Sequence, residues 1–282
     1  MQPVRCINHV VINSERNTGQ NPDNSQNSVS RPGWPRVSEF FAKLSPHEVY
    51  DPHGNLEKAR QMLLGGNGLL IVMAHPTKRD PVDITREMLD DPVMGSRRIS
   101  APIAVHQYRW YARMLGKLFS VEMNPIVTAN NKLMYPGRYS RKEERDMLKE
   151  YAREVVEVLG SGGIALVAPQ ADHATQLGSP KGTMELLFNR IRRAGVTGFG
   201  ILFVGFDIPG ENGFPDDGFN VGKKYRINIG NIFDFRDAVD VSTALGLSED
   251  DWAYMELAAC YYPGHPFLGI LPEKEAVSSD RR

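Results

Sequence analysis

The chain has 282 residues and a formal net charge of −1. Hydrophobic residues at 41% and charged residues at 24% supply enough apolar surface for a sizeable core, without the basic excess that marks a nucleic-acid binder. Two cysteines (Cys6 and Cys260), no apolar run of about 18 residues and no basic-then-apolar leader argue against a disulfide scaffold, a membrane span and a secretory route, so a cytoplasmic protein is expected.

Residues 12–36 are rich in Asn, Ser, Gly and Pro and poor in periodic apolar positions. Residues 1–36 therefore read as a flexible N-terminal arm, and 37–282 as a single folded domain. "NLEKARQMLL" puts Leu56, Ala59 and Leu63 on one helical face, closed by Gly65-Gly66. "GLLIVMA" follows, a continuous apolar run that suits a strand covered on both faces. "APIAVH" (101–106) predicts a second strand, "QYRWYARMLGKLF" a helix and "SVEMNPIVTA" another extended segment. In "SRKEERDMLKEYAREVVEVLG" Ser140 and Glu143 have capping-box spacing, and the apolar residues from Met147 to Leu159 keep a helical period up to Gly160. "GIALVAP" (163–169) and "FGILFVGF" predict buried strands on either side of the helix "GTMELLFNRIRRAG". "KYRINIG" (224–230) and "SEDDWAYMELAACYY" add a late strand and a late helix. This alternation predicts an α/β fold, a mainly parallel sheet with helices on both faces.

Ligand and catalytic groups of open α/β sheets gather at the carboxyl ends of strands, and His75 follows the run "GLLIVMA" directly. An imidazole there can take a proton from a hydroxyl near neutral pH, and Asp80, five residues on, can orient the ring and stabilise the imidazolium. The same residues also read as an ordinary helix start, with Asp80 as cap and Pro81 at the first helical position, beside a histidine that has no chemical task. No G-x-S-x-G elbow occurs, which argues against a serine hydrolase of the α/β type.

His75-Pro-Thr-Lys-Arg-Asp80 after an apolar strand resembles the H-x4-D motif of the glycerolipid acyltransferases, the lysophosphatidate acyltransferase superfamily. "GGIALVAPQADHATQLGSPKGTMELLF" is similar to that family's second block through Pro169 and Lys181-Gly182. "FGILFVGFDIP" and "MELAACYYPGHPFLGILP" resemble its later blocks, so the likeness spans roughly residues 50–272. Where the family carries Glu-Gly-Thr-Arg, this chain has Gln170-Ala171-Asp172-His173. The resemblance implies a glycerol-phosphate acyltransferase-like fold and an O-acyltransferase. A fatty acyl group would pass from an acyl-CoA or acyl-carrier-protein thioester to a hydroxyl of a lysophospholipid or related lipid or polar acceptor. It implies His75 as general base, Asp80 as its orienting acid, and neither metal nor cofactor beyond the acyl co-substrate. Lys181 and Gly182 would approach an anionic head group, the lysine as a charge and the glycine through its backbone, although Lys181 reads equally as a solvated lysine at a helix start; Gln170, Asp172 and His173 would line the site, the alternative being an ordinary polar loop. Arg138 or Lys132, in "SVEMNPIVTANNKLMYPGR", the loose counterpart of the intermediate block, would help hold the acceptor.

Lys78 and Arg79 can draw an anionic substrate inward, and read equally as solvent-facing loop charges. Arg109, Arg113 and Lys117, interleaved with Trp110, Tyr111 and Leu115, suit a helix lying against the inner face of the cell membrane; a helix packed on the sheet with its charges outward has the same pattern. Two other classes stay open. One is a metal-dependent hydrolase with His75, Asp80, Asp172 and His173 as ligands. The other is a non-catalytic lipid-binding relative.

Overall fold

Leu69, Ile71 and Met73 face one hydrophobic core, while Leu70, Val72 and Ala74 face a second on the opposite side. All but Ala74, which follows it, belong to β2 (Gly68–Met73), every residue of which is buried. A strand with two apolar faces needs cover on both, and that requirement organises the computed structural model. The structure describes residues 34–170, 176–178, 182–211, 213–214, 218 and 220–268.

Seven strands form one sheet among the described residues. Besides β2 they are β1 (His47–Tyr50), β3 (Ile99–Ala104), β4 (Val121–Ile126), β5 (Ile164–Val167), β6 (Phe199–Asp207) and β7 (Tyr225–Asp234). The spatial order is β1-β7-β6-β2-β5-β3-β4. The five strands from β6 to β4 are mutually parallel. β7 runs antiparallel to β6, and β1 pairs parallel with β7, so the last two strands are reversed against the rest. The fold is α/β with a mostly parallel sheet.

One face is covered by α1 (Trp34–Leu44), α2 (Asn55–Leu64) and α3 (Asp80–Asp90), which bury Trp34, Leu56, Ala59, Leu63, Ile84 and Met88. The other is covered by α6 (Arg141–Gly160), α7 (Thr183–Arg193), α8 (Phe235–Ala244) and α9 (Glu249–Ala259). Two further helices lie beyond these: α4 (Trp110–Phe119), which packs against edge strand β4, and α5 (Ala129–Met134), which follows that strand in the chain. α6 begins at the capping box its sequence predicts: the Glu143 amide donates to Ser140 Oγ (3.2 Å) and the Ser140 amide to Glu143 Oε2 (2.8 Å). Its far end lies so close to β2 that a Cβ on Gly68 would meet the Leu159 carbonyl oxygen at 2.5 Å.

α1 begins three residues inside the segment that composition assigns to the arm. Trp34 is buried, and its indole N–H donates to Asp90 Oδ1 at 2.7 Å. The remainder of the arm, residues 1–33, and the tail 269–282 lie outside the described residues. Among those described, no helix is long and apolar enough to cross a membrane.

Candidate active site at the carboxyl ends of the strands

Five parallel strands end along one rim, with β2 between β5 and β6. After β2 the chain turns through residues 74–79 into α3, and this turn brings His75 and Asp80 together: His75 Nδ1 lies 3.4 Å from Asp80 Oδ2. Asp80 is fully buried, whereas the His75 side chain keeps 15% of its surface exposed. The ring thus sets Nδ1 toward the carboxyl and is only partly enclosed.

Asp80 does not cap α3. Arg79 occupies the cap position and makes no side-chain cap bond. The Asp80 carboxylate turns backward instead, accepting the Thr77 amide at Oδ2 (2.6 Å) and the Thr77 hydroxyl at Oδ1 (2.8 Å). The Thr77 hydroxyl oxygen in turn accepts from the Tyr225 hydroxyl of β7 (3.2 Å). Burial pushes the Asp80 carboxyl above its ordinary value; His75 and the two Thr77 donors oppose that shift by favouring the ionised form. A carboxylate pinned at both oxygens holds the imidazole edge facing it in one orientation.

Gln170 follows β5, the strand that pairs with β2 up to Val72 and Val167. The Gln170 amide nitrogen donates to the Gln176 carbonyl at 3.5 Å, and its Oε1 is buried without a hydrogen-bond partner. Lys78 is exposed on the turn.

Arg79 is no substrate-steering charge. It is fully buried. Its Nε donates to Asp83 Oδ2 (2.6 Å), one terminal nitrogen to the Lys223 carbonyl (2.6 Å) and the other to the Pro46 carbonyl (2.6 Å), and the guanidinium stacks 4.0 Å from the Tyr225 ring centre. It ties the motif turn to β7 and to the entry of β1. Arg138 is also away from the pair. It is exposed, beyond β4, against Tyr135 and Tyr139; three strand spacings from β2 amount to about 14 Å. Gly182 does not offer its amide to an anionic ligand. The Asp250 carboxylate of α9 accepts that amide and, at 2.8 Å, the Met184 amide, so the start of α7 already has its anion. Asp172, His173 and Lys181 lie outside the described residues.

Two rim histidines escaped the sequence reading. His106, just past β3, contacts the Asn131 side-chain amide through Nδ1. His265 pairs with Asp207 at the end of β6: Nε2 donates to Asp207 Oδ1 (3.1 Å), while Nδ1 accepts the Phe267 amide (3.1 Å). That ring is fully buried with both nitrogens engaged, which makes it a structural clasp. Asp207 and His265 are 58 residues apart in the chain, so no local pattern announces them.

A cavity of about 750 Å³ opens near the other ends of β3, β4 and β5, with Arg97, Arg98, Arg113, Lys117 and Gly163 in its lining. None of His75, Thr77, Asp80 or Gln170 lines it. Arg98 there donates to Glu122, Glu154 and Glu157. Burial and the hydrogen bond to Glu122 push the Glu154 carboxyl up to about 7.

No protein-family model matches the chain. No curated protein matches it either.

Proposed function

We propose that the protein is an O-acyltransferase that moves a fatty acyl group from an acyl-CoA or acyl-carrier-protein thioester to a lipid or polar hydroxyl. The observation that carries this reading is the 3.4 Å approach of His75 Nδ1 to the buried Asp80 carboxylate at the end of the central strand. With Nδ1 turned to Asp80, Nε2 is the atom that would take the proton from the acceptor hydroxyl. The oxygen then attacks the thioester carbonyl, the tetrahedral intermediate collapses, and the departing thiolate recovers the proton from His75. Asp80 stays ionised and stabilises the transient imidazolium. The order of segments that resemble the acyltransferase blocks supports the reading, as does a mostly parallel sheet with the motif on its central strand. On this reading the sheet is of the glycerol-phosphate acyltransferase type.

The test is release of CoA from a long-chain acyl-CoA, measured against a panel of lysophospholipid acceptors. Wild type should release CoA only with a suitable acceptor, and His75→Ala should lower that rate by about 10²–10⁴-fold. Equal acceptor-dependent rates in the two proteins would remove His75 from the chemistry. The hydrolase alternative needs Asp172 and His173 beside the pair, and stoichiometric zinc or manganese in purified protein would favour it.

A further inference from the structure

We infer that the exposed faces of α4 and α5 form a docking surface for an anionic phospholipid membrane along the β4 edge of the sheet, with Trp110 and α5 toward the strand ends that carry His75 and with Arg113 and Lys117 toward the cavity at the other ends. The inference rests on the acyltransfer reading only for its purpose, since a lipid surface would deliver a lipid acceptor there.

Trp110, Arg113, Met114 and Lys117 stand at positions i, i+3, i+4 and i+7 of α4, one face of a helix, and all four are exposed. Trp110 is 69% exposed and Met114 51%. α4 packs against β4 with Ala112 and Gly116 buried, close enough that a Cβ on Gly116 would meet the Val121 carbonyl oxygen at 2.7 Å, and Trp110 and Met114 stay exposed among cations. α5 adds Leu133, 81% exposed, and Met134. His106 joins the two helices, lying four residues before Trp110 and touching Asn131 and Tyr135 of the α5 segment.

Cations predominate along this stretch of the chain, and the carboxylates near it, Glu122, Glu154, Glu157 and Glu144, are held by Arg98 and Lys132. Residues 92–142 contain nine lysines and arginines and a single acidic residue, Glu122, in a chain whose net charge is −1. Arg109, Arg113 and Lys117 have no carboxylate partner among the described residues. Apolar side chains that enter the headgroup boundary, flanked by unpaired cations that meet lipid phosphates, are the two components of interfacial binding. An acidic protein would use the cations but would leave Trp110, Met114 and Leu133 without a matching solvent, so the membrane is the better fit.

Of the three tryptophans, Trp34 and Trp252 are buried, so Trp110 reports on the surface. With vesicles of phosphatidylcholine containing about one-third phosphatidylglycerol (a strongly negative surface), Trp110 emission should shift to the blue and the protein should sediment with the vesicles. Pure phosphatidylcholine should bind far less, and salt should release the protein. Arg113→Gln with Lys117→Gln should weaken binding by about 25-fold, roughly fivefold per charge, with an unchanged unfolding temperature because both side chains are exposed. Trp110→Phe should abolish the emission shift. Equal binding to both vesicle types, no binding, or binding to an acidic polymer but not to vesicles would each overturn the inference. His75→Ala should bind vesicles like wild type. Docking without CoA release would leave the surface standing and the acyltransfer reading fallen; CoA release without docking would do the reverse.

Discussion

Thr77 holds Asp80 at both carboxylate oxygens, through its amide at 2.6 Å and its hydroxyl at 2.8 Å. A three-residue loop closed in this way fixes the carboxylate before any substrate arrives. Thr77→Val keeps the shape and the amide bond but strips Oδ1 of its donor and the Tyr225 hydroxyl of its acceptor. A buried group left unsatisfied costs about 1–3 kcal/mol, and that loss should appear in denaturant unfolding. On the acyltransfer reading the rate of CoA release should fall as well, and Thr77→Ser, which restores the hydroxyl, should recover both. Recovery of stability without recovery of rate would limit Thr77 to a structural part.

The two His–Asp pairs should respond to pH with opposite sign. Burial raises the Asp80 carboxyl above its ordinary 3.8. Its ionisation is therefore less favourable in the folded chain, and its contribution to stability is fullest below that value and declines as pH rises through the raised one. The stability of wild type minus that of Asp80→Asn should shrink as pH rises above about 4, then level off. At Asp207 the His265 hydrogen bond and charge outweigh burial and lower the carboxyl. That contribution is present above the ordinary value and lost as pH falls through the lowered one, so wild type minus Asp207→Asn should shrink toward acid. Chemical denaturation of the three proteins across pH 3–7 would show it; curves sloping the same way would contradict the assignment.

Arg79 should matter to folding rather than to substrate affinity. Arg79→Met takes from the buried Asp83 carboxylate its closest cation and leaves it His47 at 3.6 Å and the Ser45 hydroxyl; breaking a buried pair costs about 3–5 kcal/mol. Arg79→Lys should recover little, since one ammonium cannot reach two carbonyls and a carboxylate in the planar fork geometry. Denaturation midpoints test this directly. A large rise in KM at unchanged stability would restore the steering role that the buried geometry argues against.

Trp252 is fully buried among Phe188, Phe203 and Phe233, and its indole N–H has no hydrogen-bond partner. Trp252→Phe loses volume but removes a donor that pays desolvation without return. The two effects should nearly cancel, to within about 1 kcal/mol of wild type. Trp252→Ala should cost about 3–5 kcal/mol. A cost for the phenylalanine variant close to that of alanine would mean that the N–H is satisfied in solution.

The sequence made legible what local pattern encodes. The apolar run from Leu69 to Ala74, alternating between two faces, marks β2, and Ser140 with Glu143 marks the start of α6. The sheet's reversal at β7 has no such mark, because strand direction depends on where the chain returns after β6 rather than on the residues of "KYRINIG". β1 went unread for a related reason. It is a four-residue edge strand, none of it fully buried, and polar residues at an edge carry no hydrophobic period. At the site, the spacing of His75 and Asp80 was visible, but Thr77 between them was not singled out. Arg79 was misread because its partners, Pro46 and Lys223, lie 33 and 144 residues away. A charge in a loop looks solvated until the distant chain that encloses it is known. Gly182 misled similarly: a glycine before a helix suggests an open anion site, and only the tertiary fold brings Asp250 to fill it.

β2 is hydrogen-bonded on both sides, to β5 and to β6, and is walled by two cores. Its amides cannot be reached by solvent through fraying of an edge, so deuterium should enter them only when the entire sheet comes apart. The turn bearing His75 is thus bolted to a segment whose amides should exchange among the slowest of the described residues. The site should keep its geometry through every partial opening of the periphery and be lost, with the helical signal, at a single denaturant concentration.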